Sequence, residues 1–299
     1  MTAHTHVPRA GRRHIRRLRV AFTLVVGYMV VEAVAGLLTG SLALISDAGH
    51  MATDALGLGM ALAAIEAADR TSRGKGQTYG LYRLEIIAAL ANAVLLFAVA
   101  AYVLYEAVQR FREPPEVATT PMLAVAVAGL IVNIIGWRLL RTGARESLNF
   151  KGAYLEVLAD LAGSVGVIAA AMIMITTGWP YADPLFAALI GLFIVPRAWQ
   201  LGKQAFRILV QAAPAELDLD QLHGELSSIR GVVDVHDLHV WTLTSEMEVA
   251  TVHLMTRDGT DPHPVLDEAR SLLRDRYRIA HATLQVEPDT HQGCSEVSW

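Results

Sequence analysis

Long apolar runs fill the first two thirds of the chain and are absent from the last third. They fall near 18–39, 42–66, 84–108, 121–141, 153–176 and 180–202. Each is long enough for a helix crossing a hydrocarbon core of about 30 Å, which takes about 20 residues. Beyond them the periodicity changes. Leu217 to Ile229 has the spacing of an amphipathic helix, Val232 to Leu243 and Glu248 to Thr256 read as strands, His263 to Arg276 as a helix and Ala280 to Glu287 as a strand. The pattern predicts an α-helical membrane protein of six transmembrane helices followed by a small α+β domain. Three regions follow: a basic arm over 1–17, a transmembrane transport domain over 18–207 and a tail domain over 208–299.

Composition agrees with this division. Hydrophobic residues make up 53% of the chain and the mean hydropathy is +0.38, high for a soluble domain. A formal net charge of −4 argues against nucleic-acid binding through bulk electrostatics. One cysteine, Cys294, excludes an internal disulfide and a cysteine-cluster metal site. Arg9, Arg12, Arg13, Arg16, Arg17 and Arg19 lead straight into the first span, so the N-terminal residues read as a basic arm and not as a cleaved signal peptide. Basic residues also follow the second span (Arg70, Arg73, Lys75, Arg83), the fourth (Arg141, Arg145, Lys151) and the sixth (Lys203, Arg207), whereas Gly40-Ser41 and Thr176 to Pro180 carry none. This bias puts both termini in the cytoplasm, with the bacterial inner membrane as the expected location.

The spans carry charges that a bilayer penalises. His50 and Asp54 lie four residues apart in the second, and Glu156 and Asp160 four apart in the fifth. That spacing puts each pair on one helical face. Asp47, one turn before His50, is a second-rank candidate, and Glu32 lies in the first span. Isolated polar groups in spans snorkel or glue helices together. Crowded carboxylates instead repel one another until a cation or protons neutralise them, and intramembrane charges mark ion paths. Gly57, Ala61, Gly163 and Ser164 nearby let helices approach closely. One imidazole and three carboxylates suit tetrahedral Zn²⁺, tolerate Co²⁺ and fit the larger Cd²⁺ less comfortably, while the lack of sulfur disfavours Cu⁺ and the imidazole disfavours Mg²⁺. Metal binding requires deprotonated ligands, so one site that holds either metal or protons by turns would be a metal/proton antiporter.

The tail holds His223, His236, His239, His253, His263, His281 and His291, with Glu287 near its end. His236, His253 and His263 are the best metal candidates there. Three other functions compete with antiport. An intramembrane metalloenzyme would need a motif such as H-E-x-x-H, which is missing, so no enzymatic activity is expected. A passive channel needs weak sites, which a four-ligand cage does not offer. A membrane-anchored metal sensor, the alternative function, would not need ligands in the spans.

Three membrane motifs stand out: Ser41-Leu42-Ala43-Leu44-Ile45-Ser46-Asp47-Ala48-Gly49-His50 with Asp54, Leu148-Asn149-Phe150-Lys151-Gly152-Ala153-Tyr154-Leu155-Glu156, and Asp160-Leu161-Ala162-Gly163-Ser164-Val165-Gly166. The tail adds His236-Asp237-Leu238-His239-Val240-Trp241 and Ala282-Thr283-Leu284-Gln285-Val286-Glu287. On these residues the chain resembles the cation diffusion facilitators, in particular the cobalt–zinc–cadmium efflux branch, from about residue 18 to 288. The resemblance implies a homodimer with six membrane helices and a cytoplasmic ferredoxin-like domain that binds regulatory metal. It also implies export of divalent metals, mostly Zn²⁺, in exchange for protons. His50, Asp54 and Asp160 match the family's membrane ligands, His236 and His253 its tail ligands, and His263 and Glu287 follow less closely. There are three departures. Glu156 stands where zinc-specific members place histidine, which implies broader selectivity. Tyr82 stands where many relatives have histidine, with Asp69 lacking nearby histidines. No histidine-rich stretch separates the fourth and fifth spans, leaving His4, His6 and His14 as metal-gathering residues.

Overall fold

Two glycines in the left-handed region punctuate the membrane helices. Gly40, at φ +71°, follows α1 (Ala10–Thr39), and Gly178, at φ +67°, follows α5 (Leu148–Thr177). A residue just past a helix end often takes this conformation, which costs glycine nothing. The other long helices are α2 (Leu42–Thr71), α3 (Arg83–Arg112), α4 (Thr119–Leu140) and α6 (Ala182–Leu209). This computed structural model describes residues 10–71, 79, 83–140, 148–244 and 247–290, without the side chains of 10–19, 21, 57–71 and 148–156. His4, His6, Tyr82, His291 and Cys294, and the side chains of His14, Gly57, Ala61, Asp69 and Glu156, lie outside the described residues.

Five helices are long and apolar enough to cross a membrane among the described residues, over Phe22–Thr39, Arg83–Arg112, Thr119–Leu140, Val157–Thr177 and Ala182–Leu209. The remaining expected span, α2, is a helix of 30 residues that carries Asp47, His50 and Asp54 in its first half. α1 begins at Ala10, so part of the basic arm is helical.

The chain divides into two compact units, Met1–Gly59 with Ala91–Gln200, and Met60–Leu90 with Leu201–Trp299. In the first, small residues do much of the packing. Ala43, Ala107, Ala126, Ala170, Ala171 and Ala187 are buried beside Leu42, Leu44 and Met122. Without a hydrophobic driving force between helices in lipid, such close backbone approach supplies the packing energy. Leu37, Leu38, Phe193 and Trp199 point outward, as bilayer-facing side chains do. The start of α2 is held from α6: Asp183 Oδ1 accepts from Ser41 Oγ at 2.6 Å and Ala43 N at 3.2 Å, and Oδ2 from Leu42 N at 2.8 Å. Arg110 of α3 pairs with Asp183 at 3.5 Å, donates to the Gly40 carbonyl and pairs with Glu106.

The second unit contains the tail. Asp218 caps α7 (Leu219–Ser227) by accepting from Gln221 N. Strands β1 (Val232–Thr244) and β2 (Met247–Thr256) pair antiparallel. The chain then returns through α8 (Pro262–Ser271) and a π-helical turn (Leu272–Arg276) to β3 (His281–Pro288), which pairs parallel to β2. A parallel neighbour requires such a crossover. The alternation of Ala250, Val252, Leu254 and Thr256 buries one face of β2 on Leu222, Leu226, Val265, Ala269 and Leu273. The elements run α-β-β-α-β, with residues 210–218 in no strand ahead of α7. Also within this unit, Thr244 Oγ1 donates to Glu85 Oε2 at 2.6 Å.

Candidate metal centre

In the membrane half, His50 and Asp54 of α2 and Asp160 of α5 each offer a ligand atom within 4.8 Å of the others. The i,i+4 spacing puts the first two on one face, with His50 Nε2 at 3.7 Å from Asp54 Oδ2. His50 and Asp160 are each 4% exposed. Among the described residues neither His50 ring nitrogen has a hydrogen-bond partner. Buried polar atoms are ordinarily partnered, so a ring in this state suits a ligand for a cation. Thr53 Oγ1 donates to the His50 carbonyl and not to its ring. Glu156 sits in α5 one turn before Asp160.

Asp47 does not belong to this group. It is 1% exposed and lies over Gly163 of α5, where a Cβ would collide with its carboxylate. Gly163 is therefore the slot that admits Asp47, and the neighbouring Ser164 is tied to Asn133 of α4 at 3.1 Å. Arg197 of α6 escaped the sequence reading. Its guanidinium is 3.4 Å from Asp54 Oδ2. An arginine inside an apolar span was itself the available signal. A cavity of about 240 Å³ between α2, α5 and α6 reaches this region, lined by Asp47, His50, Gly163 and the apolar Phe186, Phe193 and Ile194. One nitrogen and two carboxylates form an acidic, hard-to-borderline donor set that fits divalent Zn²⁺ and its neighbours.

The tail holds a second group, with one residue from each strand. His236 of β1, His253 of β2 and Glu287 of β3 present ligand atoms within 4.8 Å of one another. His236 Nε2 is 3.1 Å and His253 Nδ1 3.5 Å from Glu287 Oε1. Register explains the meeting, since His236 lies opposite His253 across the antiparallel pair and Glu287 pairs with Met255 on the parallel side. β1 is irregular just after His236, where Asp237 takes φ +49° and the pairing shifts. Asp234 Oδ2, 3.1 Å from His236 Nδ1, fixes the ring so that Nε2 faces the group. Such outer carboxylates orient metal-binding histidines. His263 is not brought in. It is exposed in the first turn of α8, where its backbone N–H donates to the capping Asp261.

Comparison with known proteins covers both halves. Residues 18–210 match the cation efflux transmembrane domain, and residues 214–289 the cation efflux protein cytoplasmic domain. The chain is similar to the metal cation efflux system protein CzcD of Cupriavidus metallidurans, 46% identical over 95% of this chain and 89% of that protein. It is 41% identical to the zinc transporter ZitB of Escherichia coli over 97% of this chain and 94% of the relative. A cadmium, cobalt and zinc/H(+)-K(+) antiporter of Bacillus subtilis is 35% identical over 96% and 93%. With apolar helices and a cluster of candidate metal ligands in the half that carries the transmembrane match, the chain belongs to the cation efflux family as a multi-pass membrane protein of metal cation efflux.

Proposed function

We propose that the chain is a proton-coupled antiporter that exports Zn²⁺, and also Co²⁺ and Cd²⁺, from the cytoplasm. It works as a homodimer in the bacterial inner membrane, with both termini and the tail domain cytoplasmic. The observation that carries this reading is the His50–Asp54–Asp160 group between two membrane helices, with His50 and Asp160 buried and Asp54 partly so. The names of the similar efflux proteins and of the H(+)-K(+) antiporter support it. Deprotonated carboxylates and a neutral imidazole take the ion on the cytoplasmic side. Protons replace it on the far side, because the same atoms accept either. A sensor would not need this group, and nothing in a transport family calls for a bond-breaking step.

The test uses the full chain in vesicles. The steady-state Zn²⁺ accumulation ratio should rise with an imposed pH gradient and fall at least about tenfold when an ionophore collapses that gradient, a change equal to about 1.4 kcal/mol of lost driving force. Uptake indifferent to the gradient would remove the proton half of the reading.

In the tail, His236, His253 and Glu287 are the residues that would hold a regulatory ion. The donor set fits, with two imidazoles and a carboxylate drawn together in a mostly buried site. Such an ion favours whichever arrangement of the dimer it binds better. Zn²⁺ at about 100 times its Kd should slow amide exchange in β1 and β3 by about 100-fold. His253→Ala should erase the slowing. Unchanged protection in the native chain would exclude an ion at this site.

A further inference from the structure

Glu32 belongs to neither ligand group, yet it lies in the membrane half with 0% exposure. Its partner is the phenol of Tyr28, one turn earlier on α1. Tyr28 Oη is 3.2 Å from Glu32 Oε1 and 3.1 Å from the Val125 carbonyl oxygen of α4. A phenol has one proton to donate, while a helix carbonyl and an ionised carboxylate can only accept. If Glu32 is ionised, the single phenol proton must therefore serve both acceptors. With a carboxylic acid at Glu32 the chain closes, the acid O–H donating to Tyr28 Oη and the phenol O–H to Val125.

The surroundings favour the same form. Among the described residues no basic side chain pairs with Glu32, and its Oε2 has no donor. α4 carries no charged residue from Thr119 to Trp137. An unpaired carboxylate in so dry a place is costly, and protonation removes the cost.

We propose that Glu32 is a proton-binding site separate from the metal ligands, and that its proton is one of those exchanged for the exported ion. The inference rests on the antiport reading above. The location gives it a means of coupling. Through Tyr28 the acid is tied to α4, whose Asn133 holds Ser164 of α5 at 3.1 Å, one turn after Asp160, so a proton gained or lost on α1 can reach the helix that carries Asp160. When the acid loses its proton, the phenol turns its own proton to the carboxylate and lets go of the Val125 carbonyl. Tyr28 lies against α4 so tightly that a Cβ at Gly129 would collide with its ring, so this exchange acts directly on the seam between α1 and α4.

The experiment compares the native chain with Glu32→Gln and Tyr28→Phe in vesicles, recording Zn²⁺ flux and proton flux together. Infrared difference spectra across a pH step are taken on the same samples, and Zn²⁺ affinity is measured in detergent. Glutamine keeps the shape and the donor but carries no titrating proton. The expected result is a proton-to-Zn²⁺ ratio lower by one in Glu32→Gln, loss of a carboxylic-acid C=O band, and Zn²⁺ affinity retained within about twofold. In Tyr28→Phe the band should persist at a shifted frequency, because the acid loses its acceptor. An unchanged ratio would overturn the proposal, even with the band lost, since the proton would then be merely structural. A persisting band in Glu32→Gln would overturn it too, and a tenfold or greater loss of Zn²⁺ affinity, about 1.4 kcal/mol, would assign Glu32 to the metal shell instead. Should Glu32→Gln fail to fold, an unshifted band in Tyr28→Phe overturns the proposal. A native chain that moves Zn²⁺ with no proton flux would sink the antiport reading itself, a failure visible before either variant is compared.

Discussion

Asp160→Asn should reduce vesicle Zn²⁺ transport by more than about 100-fold, because even groups outside a metal's ligand shell cost about 10–100-fold in affinity or activity when removed. Asparagine has the shape of aspartate and fits the same buried space, so packing between α5 and α2 is preserved. What disappears is a negative charge and a strong oxygen donor, in a group that draws on both α2 and α5 for its ligand atoms. His50→Ala should do the same by removing the only nitrogen donor. In both variants the tail ligands are untouched, so Zn²⁺ protection of β1 and β3 should persist. Transport in Asp160→Asn at the native rate would show that the His50–Asp54–Asp160 group is not where the ion is carried. Loss of transport together with loss of tail protection would point to a misfolded chain.

Asp183→Ala should destabilise the membrane half by about 3–5 kcal/mol, the usual cost of removing one member of a buried ion pair. Asp183 is 0% exposed and accepts from Ser41, Leu42 and Ala43 while facing Arg110. Alanine would strand two backbone N–H groups at the start of α2 and leave the Arg110 guanidinium to Glu106 and the Gly40 carbonyl. Ser41→Ala, by contrast, should cost only about 1 kcal/mol, as for an ordinary helix cap. Thermal denaturation of the full chain in detergent would order the two. Equal effects would mean that Asp183 serves the helix start alone and that the pairing with Arg110 adds nothing.

The helices and strands were largely legible because each rests on a local period. Alternation in β2 and apolar runs of membrane length survive any arrangement of neighbours, and the observed bounds of β1, β2 and β3 lie within a residue or two of those expected. The polar positions of α2 were legible for a different reason, since a charge in a bilayer is conspicuous wherever its partners lie. Partnerships between helices were not legible. That Asp183 would reach back 142 residues to Ser41, or that Tyr28 would bridge Glu32 and Val125, depends on which faces meet. The same holds for Arg197 beside Asp54 and for Asp47, whose one-turn spacing from His50 counted for less than the open backbone of Gly163. His263 stood out by residue type and by the looser part of the family resemblance. The N-cap at Asp261 turns α8 so that its ring faces outward, a feature visible in the sequence as Asp-Pro-His before a helix.

The arrangement of the tail cluster across three strands has a mechanical side. An ion shared by His236, His253 and Glu287 would join the first strand of the sheet to the last, bridging about fifty residues of chain as a cross-link does. In a chain with one cysteine, that clip would stand in for a disulfide, and it would fasten or open with the supply of metal.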